Sequence, residues 1–324
     1  MKKKAFVTGI SGQDGSYLAE LLLEKDYEVY GIVRRHSHAQ GQNIRFAHIK
    51  DNLNVDYGDL LDQSSLYRTL ASVKPDEIYN LAAQSHVRVS YDVPQYTMQT
   101  NVVGTLNLLE ATRHCCPNAK FYQASSSEMF GNCIDEDGFQ RETTPMKPVS
   151  PYGCSKLASY CINRNYRNSY NLFASNGILF NHESPRRGFE FVTRKISYAV
   201  ARIKKGFQKK LQLGNIKSKR DWGHAKDYVN AMWLMLQQEN SGDYVIGTGI
   251  QHTVEEFAKR AFAHVGLNYK DYVVIDQRLV RPAEVDTLLA DYAKAKKILN
   301  WTPKTSFEDL VANMVENDLK NVNE

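Results

Sequence analysis

The first thirty or so residues constrain the fold more than any other part of this chain. Lys4–Thr8 is an apolar run of strand length, Thr8-Gly9-Ile10-Ser11-Gly12-Gln13-Asp14-Gly15 follows as a glycine-rich turn, and Ser16–Lys25 then sets Tyr17, Leu18, Leu21 and Leu22 at a helical period. Glu28–Val33 reads as a second strand. Strand, glycine turn, helix and strand thus close within about thirty residues, the length of one βαβ unit that seats a phosphate-bearing dinucleotide on the helix N-terminus.

The same alternation continues. Strands are expected at Asn54–Tyr57, Glu77–Leu81, Lys120–Ala124 and Leu172–Leu179, and helices at Ser64–Ser72, Tyr96–Arg113 and Tyr152–Asn168. This pattern predicts an α/β protein with a Rossmann-like, doubly wound parallel sheet. Past about residue 180, Pro185, Gly188, Gly206, Gly214 and Gly223 divide the chain into shorter elements. These are expected to form a smaller C-terminal α/β substrate-binding part over the carboxyl ends of the strands, where ligands sit in such sheets. The expected division is residues 1–180 for the sheet domain, with 222–248 returning to it, and 181–221 with 249–324 for the smaller part. No repeat or low-complexity linker separates them, so the two parts are expected to share one body.

At 324 residues, 42% hydrophobic and 24% charged, the chain can bury a large core. The net charge of +5 is spread out, with short clusters at Lys2-Lys3-Lys4, Lys204-Lys205 and Lys209-Lys210. That distribution argues against nucleic acid and for a small anionic substrate. The five cysteines, Cys115, Cys116, Cys133, Cys154 and Cys161, show neither a CxxC nor a Cys/His ligand spacing, so no structural metal is expected and a reduced cytoplasm fits. The first segment reads as a strand rather than a cleavable leader, and no apolar run reaches membrane-spanning length.

Four further features point to chemistry. At the end of the second strand, where an acidic residue would bind a ribose 2′-hydroxyl, stands Arg34-Arg35, whose guanidinium forks suit a 2′-phosphate; NADP is therefore favoured over NAD. Asp59-Leu60 is expected to flank the adenine, and Leu81-Ala82-Ala83-Gln84-Ser85 to let the backbone approach the cofactor. Tyr152 and Lys156 stand four residues apart on one helix face, so the ammonium could lower the phenol pKa until the tyrosinate accepts a proton near neutral pH. Ser126 and Glu128 follow the strand ending at Ala124, and a simple dehydrogenase has no use for that carboxylate.

On these residues the chain resembles the extended short-chain dehydrogenase/reductase superfamily, and within it the GDP-mannose 4,6-dehydratase family over essentially its full length. The stretches that carry the resemblance are Thr8–Leu23, Asn80–Val87, Phe121–Gly131, Gly177–Ile196 with Asn-His-Glu-Ser-Pro-Arg-Arg-Gly, Lys219–Val229 with Arg-Asp-Trp-Gly-His-Ala-Lys-Asp-Tyr, and Arg281–Asp286. The resemblance implies that Tyr152 takes the proton of the sugar 4-hydroxyl while hydride passes from carbon 4 to NADP, with Ser126 on the same oxygen. Glu128 would then remove the acidified carbon-5 proton and protonate the departing 6-hydroxyl, and the hydride would return to carbon 6. It also implies cofactor contacts from Gly9, Gly12, Gln13, Asp14, Gly15, Tyr96, Lys156, His182 and Arg187. A GDP-sugar would be lined by Ser85, Asn181, Glu183, Val192, Lys195, Gly214, Arg220, Arg281 and Glu284. The Arg34–Gly41 loop would reach a neighbouring subunit's cofactor in a dimer or tetramer.

Two departures from the family pattern stand out. Ser126 replaces the usual threonine, and Pro145-Met146-Lys147-Pro148-Val149-Ser150 differs from the common sequence before the tyrosine. Both are expected to change room and polarity beside the sugar, which keeps GDP-manno-heptose open as a substrate. The segment between Leu267 and Arg281 is shorter than in longer members, with surface consequences. A 4-reductase or 4-epimerase is the rival enzyme reading and lacks a need for Glu128. A catalytically idle NADP-sensing protein is the rival of another class, opposed by the full set of Ser126, Glu128, Tyr152 and Lys156.

Overall fold

The computed structural model describes residues 2–35, 44–279 and 285–322. Its strands are β1 (Lys4–Thr8), β2 (Glu28–Val33), β3 (Leu53–Tyr57), β4 (Glu77–Asn80), β5 (Lys120–Ser126), β6 (Ala174–Leu179), β7 (Asn181–Glu183), β8 (Leu211–Leu213), β9 (Lys219–His224), β10 (Asp243–Ile246), β11 (Gln251–Thr253) and β12 (Val273–Ile275). Its helices are α1 (Gln13–Glu24), α2 (Gln63–Val73), α3 (Val87–Asp92), α4 (Pro94–Met98), α5 (Gly104–Cys115), α6 (Pro151–Tyr170), α7 (Val192–Lys204), α8 (Ala225–Leu236), α9 (Val254–His264), α10 (Ala293–Leu299) and α11 (Phe307–Asn321).

Seven strands form one all-parallel sheet in the order β10-β6-β5-β4-β1-β2-β3, the Rossmann-like doubly wound arrangement. Alternating side chains serve both faces. Ala5 and Val7 join the apolar cluster of α1 and α8, while Phe6 between them joins that of α2, α5 and α6. The chain returns to this sheet late, with α8 against α1 and β10 beside β6. The C-terminal elements bury a separate cluster between α7, α9 and α11, and β9 lies between parallel β7 and antiparallel β11.

The six expected strands of the main sheet lie within two residues of the observed ones. The single helix expected at Tyr96–Arg113 is instead α4, a π-helical turn at Gln99–Val103, and α5. The wide turn has a local cause. It carries Asn101, whose Nδ2 donates to the Gln84 carbonyl (3.1 Å) and to Ser155 Oγ (2.8 Å), while its Oδ1 accepts from the Gln84 N–H (2.8 Å). Its own carbonyl accepts from Ser159 Oγ at 2.7 Å. The break in the helix thus pins the loop after β4 to α6.

Candidate active site

β5 ends at Ser126 on the carboxyl edge of the sheet, and a tight turn at Ser127–Met129 places Glu128 directly above it. Ser126 Oγ accepts from the Glu128 N–H at 3.2 Å, and both side chains are 8% exposed. Opposite them α6 begins with Ser150 as its N-cap, accepting from the Gly153 N–H at 3.0 Å, and Pro151 in its first turn. Gly153 is required here. A Cβ would sit 2.8 Å from the Glu128 carbonyl oxygen, so a larger residue would push the helix away from the turn. The Tyr152 N–H is held by Ser90 Oγ at 3.2 Å, and its phenol hydrogen-bonds Ser126.

The Tyr152–Lys156 pair behaves differently from its expected role. Lys156 Nζ donates to the Ala124 carbonyl at 2.8 Å and lies 5.8 Å from the Tyr152 ring centroid. Burial pushes the phenol up to about 12, opposed by the Ser126 hydrogen bond, and burial pushes the ammonium down to about 8, opposed by the Asp14 carboxylate. Four-residue spacing therefore does not by itself make a tyrosinate. Desolvation is the largest influence on each group.

These groups open on a cavity of about 430 Å³. Its wall on the sheet side includes Asp14, Leu81, Ala83, Ser85, Ser126, Glu128, Tyr152 and Lys156. The facing wall includes Asn181, His182, Glu183, Arg187, Val192, Lys195, Gly214 and Arg220. Glu183 is 2% exposed, accepts from Thr193 Oγ1 at 2.5 Å and pairs with Arg187 Nε at 3.1 Å. Burial lowers the Lys195 ammonium, with Asp276 opposing. Asn181 Oδ1 is buried and lacks a hydrogen-bond partner, which leaves an acceptor for an incoming donor.

A dinucleotide fits the remaining positions. Gly9 turns with φ 70°, and a Cβ at Gly15 would lie 2.2 Å from the Gly9 carbonyl oxygen, so only glycine brings α1 this close to the turn. Gly12 caps α1 without a side-chain bond, leaving the first N–H groups of the helix for a phosphate. Gln13, 8% exposed, donates to Asp14 Oδ1 (3.0 Å) and to the His182 carbonyl (3.1 Å), and accepts from Ser184 Oγ (2.8 Å). Its side chain joins α1 to β7 instead of facing the cavity. Arg34 and Arg35 follow β2, with Arg34 donating to the Tyr96 hydroxyl.

Several expectations need correction. Leu60 is 4% exposed and packs in the core with Phe6, Ile32 and Ile78, under the Gly104 turn, so its side chain does not flank a ligand. Asp59 binds the Leu61 N–H at 2.9 Å. The Gln84 side chain bonds Thr97 and His86, which leaves only its backbone for the cofactor, as the reading of Leu81–Ser85 requires. Met146 and Val149 pack on Met129 and Phe130, and none of Pro145–Ser150 lines the cavity, so that departure alters the support of the catalytic turn and not the room beside a sugar. Arg281, Glu284 and most of the Arg34–Gly41 loop lie outside the described residues. Sequence reasoning missed Asn101, whose signal was an asparagine inside a helical run, and Asp221. The latter is fully buried and accepts from Thr248 N (2.8 Å), Thr248 Oγ1 (2.7 Å), Gly249 N (2.9 Å) and Ala290 N (3.2 Å).

A glycine turn on β1, a tyrosine and lysine on α6 and a second wall built from C-terminal elements define an extended short-chain dehydrogenase/reductase. A solved structure of DesIV, a dTDP-glucose 4,6-dehydratase from Streptomyces venezuelae with NAD and TYD bound, superposes with a TM-score of 0.86 at 27% identity over 98% of this chain and 97% of that one. A model of the GDP-mannose 4,6 dehydratase family matches residues 6–314. Among curated relatives, GDP-mannose 4,6 dehydratase 1 of Arabidopsis thaliana is 55% identical over 98% of this chain and 90% of its own length. GDP-mannose 4,6-dehydratase of Vibrio cholerae is 49% identical over 99% and 95%. The chain belongs to the GDP-mannose 4,6-dehydratase family, whose structural neighbours hold a nicotinamide dinucleotide.

Proposed function

We infer that this protein is an NADP-dependent hydro-lyase that converts GDP-mannose to GDP-4-keto-6-deoxy-mannose. The observation that carries the reading is Glu128, a carboxylate 8% exposed on the same cavity wall as Ser126 and Tyr152. Tyr152 accepts the proton of the sugar 4-hydroxyl, and Ser126 holds the same oxygen. Lys156, anchored on the Ala124 carbonyl, adds positive charge beside the phenol. Glu128 takes the carbon-5 proton and delivers it to the leaving oxygen on carbon 6, one group acting as base and then acid. The nicotinamide, when bound, would store the carbon-4 hydride and give it back at carbon 6 while the proton taken up by Tyr152 returns, directly or through solvent, to carbon 5, so the reaction has no net redox demand.

Glycines 9, 12 and 15 with Asp14, Leu81, Ala83 and Ser85 are the proposed cofactor cradle, and His182 and Arg187 close it. Arg34 and Arg35 favour NADP over NAD through the 2′-phosphate. Residues 1–180 with 222–248 serve the cofactor, and 181–221 with 249–324 serve the GDP-sugar. Asn181, Glu183, Val192, Lys195, Gly214 and Arg220 supply its walls. A homo-oligomer is proposed from the exposed Val103 and Leu106 on the helical layer outside the sheet. No described helix is long and apolar enough to cross a membrane, and a cytoplasmic location is proposed on the free cysteines.

GDP-manno-heptose is the second reading, resting on the methyl that Ser126 lacks. The deciding experiment gives the purified protein GDP-mannose and GDP-manno-heptose in parallel, with and without NADP, and follows the 4-keto product by mass. Turnover of GDP-mannose at the higher kcat/KM supports the first reading; preference for the heptose transfers the assignment to it.

A further inference from the structure

A second pair of ionisable groups, Asp14 and His182, lines the same cavity as Tyr152 and Lys156, and its geometry calls for a proton between the two. His182 Nδ1 is 2.8 Å from the Phe180 carbonyl oxygen, which can only accept, so Nδ1 carries a hydrogen. Its Nε2 is 2.7 Å from Asp14 Oδ2. A neutral ring with the hydrogen on Nδ1 would turn a bare lone pair toward a carboxylate at that distance. A second proton must therefore lie between them. The ring also stacks on Tyr228, with centroids 4.6 Å apart and planes 24° from parallel. That phenol is buried and held neutral, so its face suits a cation.

We propose that His182 is an imidazolium throughout the neutral range and acts as the counter-ion that cancels Asp14 in the cavity shared with the Tyr152–Lys156 pair. This is a positioning role, carried out through Asp14, and it rests on the reading of Tyr152 as the acid–base group. Asp14 lines the cavity with Tyr152 and Lys156, and its carboxylate resists ionisation of the phenol. An uncompensated anion there would oppose the proton transfer that the reaction needs. The other charged and titratable groups facing His182 are Arg187 from the loop after β7, Tyr228 from α8 and His224 at the end of β9, of which Arg187 opposes the imidazolium. Burial also opposes it, and the ion pair with Asp14 outweighs both, so the ring's pKa is raised. Asp14 comes from α1 of the sheet domain and His182 from β7 of the smaller part, so the pair forms only once β7 has docked on α1.

The test has one readout that needs neither cofactor nor substrate. Histidine side-chain nitrogen NMR on the full cofactor-free chain, assigned with His182→Gln, is expected to show both ring nitrogens of His182 protonated at pH 7.5. An unprotonated Nε2 at that pH overturns the proposal. In Asp14→Asn the same resonance is expected to lose its second proton below pH 7, because the anion that holds it is gone; an unchanged titration also overturns it. The second readout is the acid limb of kcat/KM. His182→Gln is expected to move it up by about one pH unit, a charge at short range in a partly screened site, and Asp14→Asn with His182→Gln to move it back. If the single variant loses NADP affinity with an unmoved limb, or the double variant fails to restore it, His182 is only a cofactor contact. A wrong substrate assignment would appear instead as the absence of 4-keto product from the unaltered enzyme, with the NMR result intact.

Discussion

The two walls of the cavity are built from different kinds of segment. The sheet-side wall draws Ser126, Glu128, Tyr152 and Lys156 from one strand end and one helix start, within about thirty residues of sequence, and its burial keeps the phenol neutral and disfavours the ammonium. The facing wall is assembled from β7, α7 and β9, and its buried polar groups are only partly satisfied: burial pushes Asp221 up to about 6, and Asn181 Oδ1 lacks a hydrogen-bond partner. Asp221 accepts four hydrogen bonds, Glu183 is paired with Arg187, and Arg194 pairs with Asp318, which also accepts from Ser197 Oγ at 2.7 Å. The reacting groups come from adjacent elements, whereas the facing wall is gathered from segments far apart in the chain and holds its carboxylates in denser hydrogen-bond networks.

The strongest way to break this contrast is at Glu128. Glu128→Gln should lower turnover on the order of 10³-fold, within the usual range for a lost general base, while NADPH accumulates and is read by its absorbance in a single turnover. Tyr152→Phe should lose turnover without that accumulation, since it stops the first step. Normal turnover of Glu128→Gln would remove the base assigned here.

Substitutions on the two walls should then change stability with opposite signs. Lys156 has its pKa lowered from 10.5 to about 8, so the folded state binds fewer protons than the unfolded one between those values. Its stability contribution is full above 10.5 and lost as pH falls through 8. Lys156→Met should therefore stabilise the inactive, cofactor-free protein by about 2 kcal/mol at pH 7, after about 1 kcal/mol for the orphaned Ala124 carbonyl. Urea denaturation should show the gain shrinking between pH 8 and 10.5. Asp221→Asn turns an amide donor toward backbone donors and should cost about 2 kcal/mol in the same assay. It should raise KM for the GDP-sugar more than it weakens NADP, because Asp221 anchors the strand whose neighbouring Arg220 and Trp222 line the cavity. A gain in stability for Asp221→Asn would erase the contrast.

The smallest effect is expected at the cofactor rim. Arg35→Ala should weaken NADP about 10-fold, the scale of one exposed charge-assisted contact, and leave NAD nearly unchanged in a titration of the cofactor-free protein. Equal weakening would mean that the arginine does not read the 2′-phosphate.

Local sequence determined the elements of the main sheet. Apolar runs, glycine positions and helical periodicity are short-range signals, and they placed β1, α1, β5 and α6 within a few residues of where they lie. The site was legible where chemistry follows an element's end, as at Ser126 and Glu128. It was not legible where a contact joins distant segments. The π-helical turn at Asn101 exists to reach Gln84 and Ser155, and Leu60 is buried because α5 covers it. By itself, then, the sequence determined which residues could donate, accept or carry charge. Only the tertiary structure decided which of them hold that charge, because burial of Tyr152 and Lys156, and the meeting of Asp14 with His182 across 168 residues, set their protonation through solvent exclusion and proximity.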